Sequence, residues 1–177
     1  MEDAAFFQIK SEYDNFYRAL LRKGRLPMWS TKLGFWNSSI SDEVYEAFKR
    51  FEIQKFKNFL DIGSGDGKVV LIASLFCKSA EGVEIEGFLH DEAVKMQMKF
   101  GINNIKFHNK DFFQHDFSKY DILFSSPDAP FERGLEKKLL KEMGGKLIHY
   151  GHLFHPRLLK KEENFSINGT PISLYSK

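Results

Sequence analysis

The chain has 177 residues, a formal net charge of +2, and 42% hydrophobic against 28% charged residues. That bounds it to one globular domain long enough to bury a core, and a charge this small gives no support to a nucleic-acid partner. A single cysteine, Cys77, excludes an intramolecular disulfide framework and a cysteine-rich zinc site, and points to a reducing, cytoplasmic setting.

The start, MEDAAFFQIKSEYD, lacks the basic opening and long apolar run of a signal peptide, and no apolar stretch is long enough to span a bilayer. Residues 4–22 read as a helix, because Phe6, Ile9, Tyr13, Phe16, Tyr17 and Leu20 recur at three- and four-residue steps. Glu2, Asp3, Glu12 and Asp14 argue against an anionic membrane surface, so this aromatic stripe is expected to pack on the rest of the chain. Gly24 and Pro27 stop the helix. PMWSTKLGFWNSSI, residues 27–40, reads as a loop. A second helix is expected from about Asp42 to Phe51, with Ser41 as N-cap.

From there strands and helices alternate. NFLDI, AEGVEI, NIKFHN, YDILFS and GKLIHYGHLF read as strands, and KVVLIASLF, GFLHDEAVKMQMKF and ERGLEKKLLKEM as helices. Apolar strands alternating with helices indicate a parallel sheet covered on both faces. The ending differs: NFSING and TPISLY flank Asn168-Gly169, a strong hairpin signal because both turn residues need positive φ. The expected fold is α/β and Rossmann-like, with a seven-stranded sheet, mostly parallel, an antiparallel C-terminal hairpin and helices on both faces. Residues 1–40 form an N-terminal helix and aromatic loop packed on the core, and residues 41–177 form the main unit.

The first core strand runs into DIGSGDG, with glycines at alternate positions 63, 65 and 67 after Asp61. A glycine-rich turn between a strand and a helix N-terminus makes a cradle of N–H groups for a nucleotide-like ligand. The G-x-G-x-G spacing disfavours a nicotinamide dinucleotide, which needs G-x-G-x-x-G. Glu84 ends the next strand, where a carboxylate can take both hydroxyls of a ribose. Asp111-Phe112 follows the third strand, where an acid can accept from an exocyclic amine and an apolar side chain can pack on a purine.

DIGSGDG, GVEIE and KDFF in this order resemble the class I S-adenosylmethionine-dependent methyltransferases over roughly residues 28–177. The sequence is most similar to the small archaeal protein-lysine methyltransferases and their mitochondrial relatives, through LDIGSGDGKVVLIA, EGVEIE, DFFQHDFSKYD, LEKKL, a strand ending near His152, and ISLY. The resemblance implies S-adenosyl-L-methionine as cofactor. It implies that Asp61 orients the cofactor's amino group and that Gly63, Ser64, Gly65 and Gly67 line its methionine part. Glu84 would hold the ribose, Asp111 would meet the adenine amine, and Phe112 would flank the ring. Ser125 would stand on the cofactor side and Ser126, Pro127 and Asp128 on the acceptor side. Trp36, Asn37, Ser38 and Ser39 lie where relatives carry a threonine-containing loop over the cofactor.

A protein with accessible lysines is the expected methyl acceptor. A nucleic acid or a small molecule stays open as alternative, because SSPDAPF departs both from the Asn/Asp-Pro-Pro-aromatic signature of amide and base methylation and from the more apolar lysine-enzyme segment. A non-catalytic cofactor-binding scaffold also stays open. His149, His152 and His155 cannot all face one metal from one strand, so no metal is expected, and His152 is expected near the acceptor pocket. No membrane contact and a monomer complete the reading.

Overall fold

The computed structural model describes residues 2–31 and 34–177. Positions 32 and 33 of the predicted 27–40 loop lie outside the described residues, as does Met1.

Helix α1 spans Glu2–Arg22 and puts Phe6, Ile9 and Tyr13 into the same core as the rest of the chain. The loop expected at 27–40 contains a small antiparallel hairpin, β1 (Met28–Ser30) with β2 (Phe35–Asn37). Three-residue strands are too short to leave a period-2 pattern. Helix α2 (Ser41–Arg50) corrects the expected cap: Ile40 is the N-cap and makes no side-chain bond, while Ser41 already lies in the helix and is buried.

The main sheet holds β3 (Asn58–Ile62), β4 (Ser79–Glu84), β5 (Ile105–Asn109), β6 (Ile122–Ser125), β7 (Lys146–Tyr150), β8 (Lys160–Ile167) and β9 (Thr170–Ser176). Their spatial order is β5-β4-β3-β6-β7-β9-β8. The first five strands run parallel, and β9 pairs antiparallel with β7 and with β8. The chain winds outward from β3 to β5, then returns to place β6 on the other side of β3. That reversal opens a crevice at the carboxyl end of β3. Asn168 and Gly169 turn the hairpin at φ of 50° and 91°, as their residue types require.

One face of the sheet carries α1, α2, α3 (Lys68–Ala73) and, through Met96, α4 (Gly87–Phe100). The phenylalanines concentrate here. Phe48 meets Phe59 and Phe124 edge-on at 5.5 and 5.9 Å, a geometry that adds to plain burial. The opposite face is covered by α5 (Leu135–Glu142) and by Phe117, Tyr120 and Phe131 from connecting segments.

Three predicted elements are shorter than expected. Helix α3 stops at Ala73, and ERG of the last predicted helix forms a separate 3-10 turn over Phe131–Arg133. Strand β7 ends at Tyr150, so His152 is an exposed loop residue rather than a strand end. Buried Glu136 orders the loop that follows, its carboxylate accepting from the backbone N–H groups of Arg157 and Leu158 at 2.6 Å each.

Candidate active site

The crevice at the end of β3 is a cavity of about 300 Å³. Asp61 stands one residue before the end of β3, inside the core at 3% exposure, and Glu84 ends β4 at 8%. Both strands deliver an acid to one end because they run parallel and in register, Asp61 opposite Gly82 and Ile62 opposite Val83.

The glycine turn between β3 and α3 has positive φ at Gly63, Gly65 and Gly67. At Gly67 a side chain would meet Ala93 at 2.5 Å and the Phe107 ring at 2.7 Å, so glycine lets α4 and β5 close on the turn. At Gly65 the close neighbour is the Trp36 indole, whose Nε1 would lie 2.4 Å from an added Cβ. The close approach expected there for a ligand is thus made by β2. Gly63 faces open space.

Glu84 holds this turn. Its Oε2 accepts from Gly65 N at 2.9 Å and its Oε1 from Glu86 N at 2.8 Å. Burial pushes the Glu84 carboxyl above its ordinary range, and these two N–H groups pull it back. Burial likewise holds the Asp61 carboxyl well above the usual range, with the Glu84 and Asp66 charges adding to it. Three acids therefore share one poorly hydrated corner.

Every cofactor-side and acceptor-side residue drawn from the sequence borders the cavity except Gly67, which packs behind it, and His152. Their contributions differ from those expected. The Ser64 hydroxyl is buried against Gly82 without a partner, so it does not open to the cavity. Asp111 caps a short 3-10 turn by accepting from Phe113 N at 2.8 Å, which sets Phe112 and Phe113 on the cavity wall. Ser125 is buried, whereas Ser126 and Asp128 are exposed. Asp128 Oδ2 accepts from Phe35 N, joining the segment after β6 to the small hairpin across the rim. Of the four hairpin-loop positions, Trp36, Asn37, Ser38 and Ser39 all border the cavity. His152 does not.

A polar network that the sequence reading missed braces the turn from below. Tyr17 OH donates to Asp66 Oδ2 at 2.6 Å, and Tyr13 OH donates to Asp66 O at 2.8 Å. Lys68 Nζ donates to Ser38 Oγ at 2.6 Å and lies over the Tyr17 ring. Burial lowers the Lys68 pKa and raises that of Asp66, and their opposite charges counter both shifts. Asp66 and Lys68 sit within the quoted motif, but nothing in the sequence says that α1 supplies their partners.

The sequence pattern of a known family, histone methylation protein DOT1, matches residues 38–129, just over half of the chain. The chain belongs to this family. With it come class I architecture and S-adenosylmethionine as cofactor. The matched span contains the cavity residues proposed from the sequence except Trp36 and Asn37, which lie just before it. No curated protein matches the chain. Among solved structures, an RNA methyltransferase from Salinibacter ruber in complex with S-adenosyl-L-homocysteine is similar at TM-score 0.70 and 19% identity, covering 78% of this chain and 92% of that one. A ribosomal protein L11 methylase from Lactobacillus delbrueckii subsp. bulgaricus is similar at TM-score 0.65 and 15% identity, covering 79% and 80%.

The residues present fit this cofactor. Carboxylates end or follow three successive strands at Asp61, Glu84 and Asp111, Gly63 leaves the turn open, and Phe112 and Phe113 offer apolar walls.

Proposed function

We propose that this methyltransferase acts on lysine side chains of a protein. The observation that carries the reading is the position of Phe131. It is the aromatic of SSPDAPF, the segment that would cradle a base or an amide, and it is 1% exposed in the core beneath α5. It offers no stacking face to a nucleobase. The family's description as histone methylation proteins supports a protein acceptor.

The cofactor supplies a methyl group already activated on a sulfonium, so the protein's work is placement and exclusion of water. Phe35, Phe113 and Pro127 on the acceptor side form an apolar surround that favours the neutral form of an incoming amine. The Arg133 guanidinium in the same wall favours it further, while exposed Asp128 draws the cationic side chain to the rim. With the cofactor held, the neutral amine would take the methyl from the sulfonium, and the exposed rim at Asp128 would let the surplus proton pass to solvent.

Incubation with methyl-labelled S-adenosylmethionine and fractionated extract tests the reading. Label removed by protease but not by ribonuclease, and mapped to lysine, is the expected result. Label removed by ribonuclease would assign the acceptor to RNA and overturn it.

A further inference from the structure

The other end of β4 carries a side-chain cluster that methyl transfer does not use. Glu81, His108 and His115 each bring one ligand-type atom to within 4.8 Å of the other two. None of the three borders the cavity. The parallel register creates the first pair: Glu81 is opposite Lys106 and Val83 opposite His108, so Glu81 and His108 are diagonal neighbours on one face. His108 Nε2 lies 2.6 Å from Glu81 Oε2. The segment between β5 and β6 folds back to add His115, whose ring stands 4.6 Å from that of His108, and Tyr120, whose hydroxyl is 2.8 Å from Glu81 Oε2 and 2.7 Å from His115 Nε2.

Hydrogen bonds alone leave this cluster incomplete. His115 is 3% exposed, and its Nδ1 has no partner among the described residues. Whichever nitrogen carries the proton, one buried polar atom goes unsatisfied, a defect that calls for an ion or a water. Two imidazoles and a carboxylate drawn from three separate segments are also a donor set suited to zinc.

We propose that Glu81, His108 and His115 form a structural site for a zinc-class divalent cation. At Zn–N and Zn–O distances of about 2.0–2.2 Å, two ligands on one tetrahedral ion stand roughly 3.3 Å apart. The observed ligand-atom spacings, from 2.6 Å up to at most 4.8 Å, bracket that value. His108 would ligate as the neutral tautomer with its proton on Nδ1, so its Nε2 contact with Glu81 gives way to a bond from each residue to the ion. Tyr120 stays within reach as a neighbour to the carboxylate. Lys119 Nζ, 3.4 Å from Glu81 Oε2, opposes the cation, but its side chain is 53% exposed and free to swing into solvent. His108 and Glu81 are only partly buried, which leaves the ion a route in.

The site would tie the sheet edge to residues 110–121. That segment includes Asp111 and Phe112, which border the cavity, so the ion would stiffen the cavity wall from behind. Metal retention does not depend on the methyl-transfer reading, and the two fail separately.

The experiment is zinc loading of the full chain, dialysis, and metal analysis, with thermal unfolding alongside. The wild type should retain about one zinc per chain. At a hundredfold excess over Kd, the folding constant should shift about a hundredfold, read as a Tm rise of roughly 5–10 °C. His108→Gln should lose both effects, and exposed His152→Gln should keep both. Should His108→Gln fold poorly, cobalt substitution of the wild type gives a second readout: visible absorption of a low-coordinate site, displaced by zinc. No retained zinc in the wild type, or equal retention in His108→Gln, would overturn the assignment.

Discussion

Glu84 is the residue on which the shape of the glycine turn depends most directly. Its carboxylate accepts from Gly65 N at 2.9 Å and from Glu86 N at 2.8 Å. Hydrogen bonds to a charged acceptor contribute about 1.5–3 kcal/mol each, so the pair is worth roughly 3–6 kcal/mol gross. Part of that is offset, because burial, with the Glu86 charge adding, already raises this carboxyl's pKa. Glu84→Ala removes both acceptors and the unfavourable burial together, for a net loss of about 2–4 kcal/mol. In a chain of this length each kcal/mol moves Tm by about 2–4 °C. Glu84→Asp separates charge from reach, since it keeps the carboxylate and withdraws it by one methylene.

Urea unfolding followed by tryptophan fluorescence reads the stability, and calorimetric titration with S-adenosylmethionine reads the site. Both variants should lose more than about tenfold in cofactor affinity, equivalent to about 1.4 kcal/mol. Unaltered affinity in Glu84→Ala, with a stability change below about 0.5 kcal/mol, would refute the reasoning. It would mean that water replaces the carboxylate at both N–H groups and that the turn holds its shape unaided.

Gly65→Val should both strain a residue at φ of 52° and collide with Trp36. Cofactor binding should be lost, and tryptophan emission should shift to the red as the indole is expelled. Emission unchanged from wild type would show that the turn, rather than β2, gives way. Tyr17→Phe deletes the 2.6 Å donor to buried Asp66, and a loss of about 1.5–3 kcal/mol is expected in urea titration. A loss under about 0.5 kcal/mol would remove α1 from the support of the motif. His149 is fully buried, and burial, with His155 adding, pushes its imidazole down to about 4. An unfolded imidazole titrates near 6.5, so this contribution is complete above that pH and falls away between 6.5 and 4, by up to about 3 kcal/mol. The difference in stability between wild type and His149→Gln, measured across that range, should shrink as pH falls; a constant difference would reject burial as the cause.

The alternation of strands with helices was legible because strands buried on both faces are apolar throughout, and Asn168-Gly169 announced its own turn. The acids at 61, 84 and 111 were legible because parallel strands place their carboxyl ends together. What escaped was tertiary. Three-residue strands in 27–40 leave no period, and Ile40 caps α2 although Ser41 looks the better cap, because Ser41 is drawn into the buried face. The link from Tyr17 to Asp66 crosses 49 positions, and Glu81, His108 and His115 converge only once β4, β5 and the returning segment are in register. The histidines conspicuous in the sequence, HYGHLFH, split between a buried strand position (His149), an exposed loop position (His152) and a half-buried one packed on His149 (His155).

The burial of Asp61, Asp66 and Glu84 in one corner is hard to justify as a device for stability. Burial raises all three pKa values, and the Glu84 and Asp66 charges raise that of Asp61 further. For an acid whose folded pKa is raised, the favourable state is the protonated one, and folding stability falls as pH rises through that pKa. At neutral pH these residues therefore draw on the stability of the phenylalanine core around Phe48. Asp66 has its answer within the chain, in Tyr17 and Lys68. Glu84 has half of one, since two backbone N–H groups leave lone pairs on both oxygens uncommitted. Among the described residues no cation offsets the burial of Asp61, and the Glu84 and Asp66 charges oppose it instead. A bound group presenting an ammonium and paired hydroxyls would relieve that imbalance at the place where the sheet topology opens its crevice. S-adenosylmethionine carries such groups, and the core supplies the stability that lets the site wait for them.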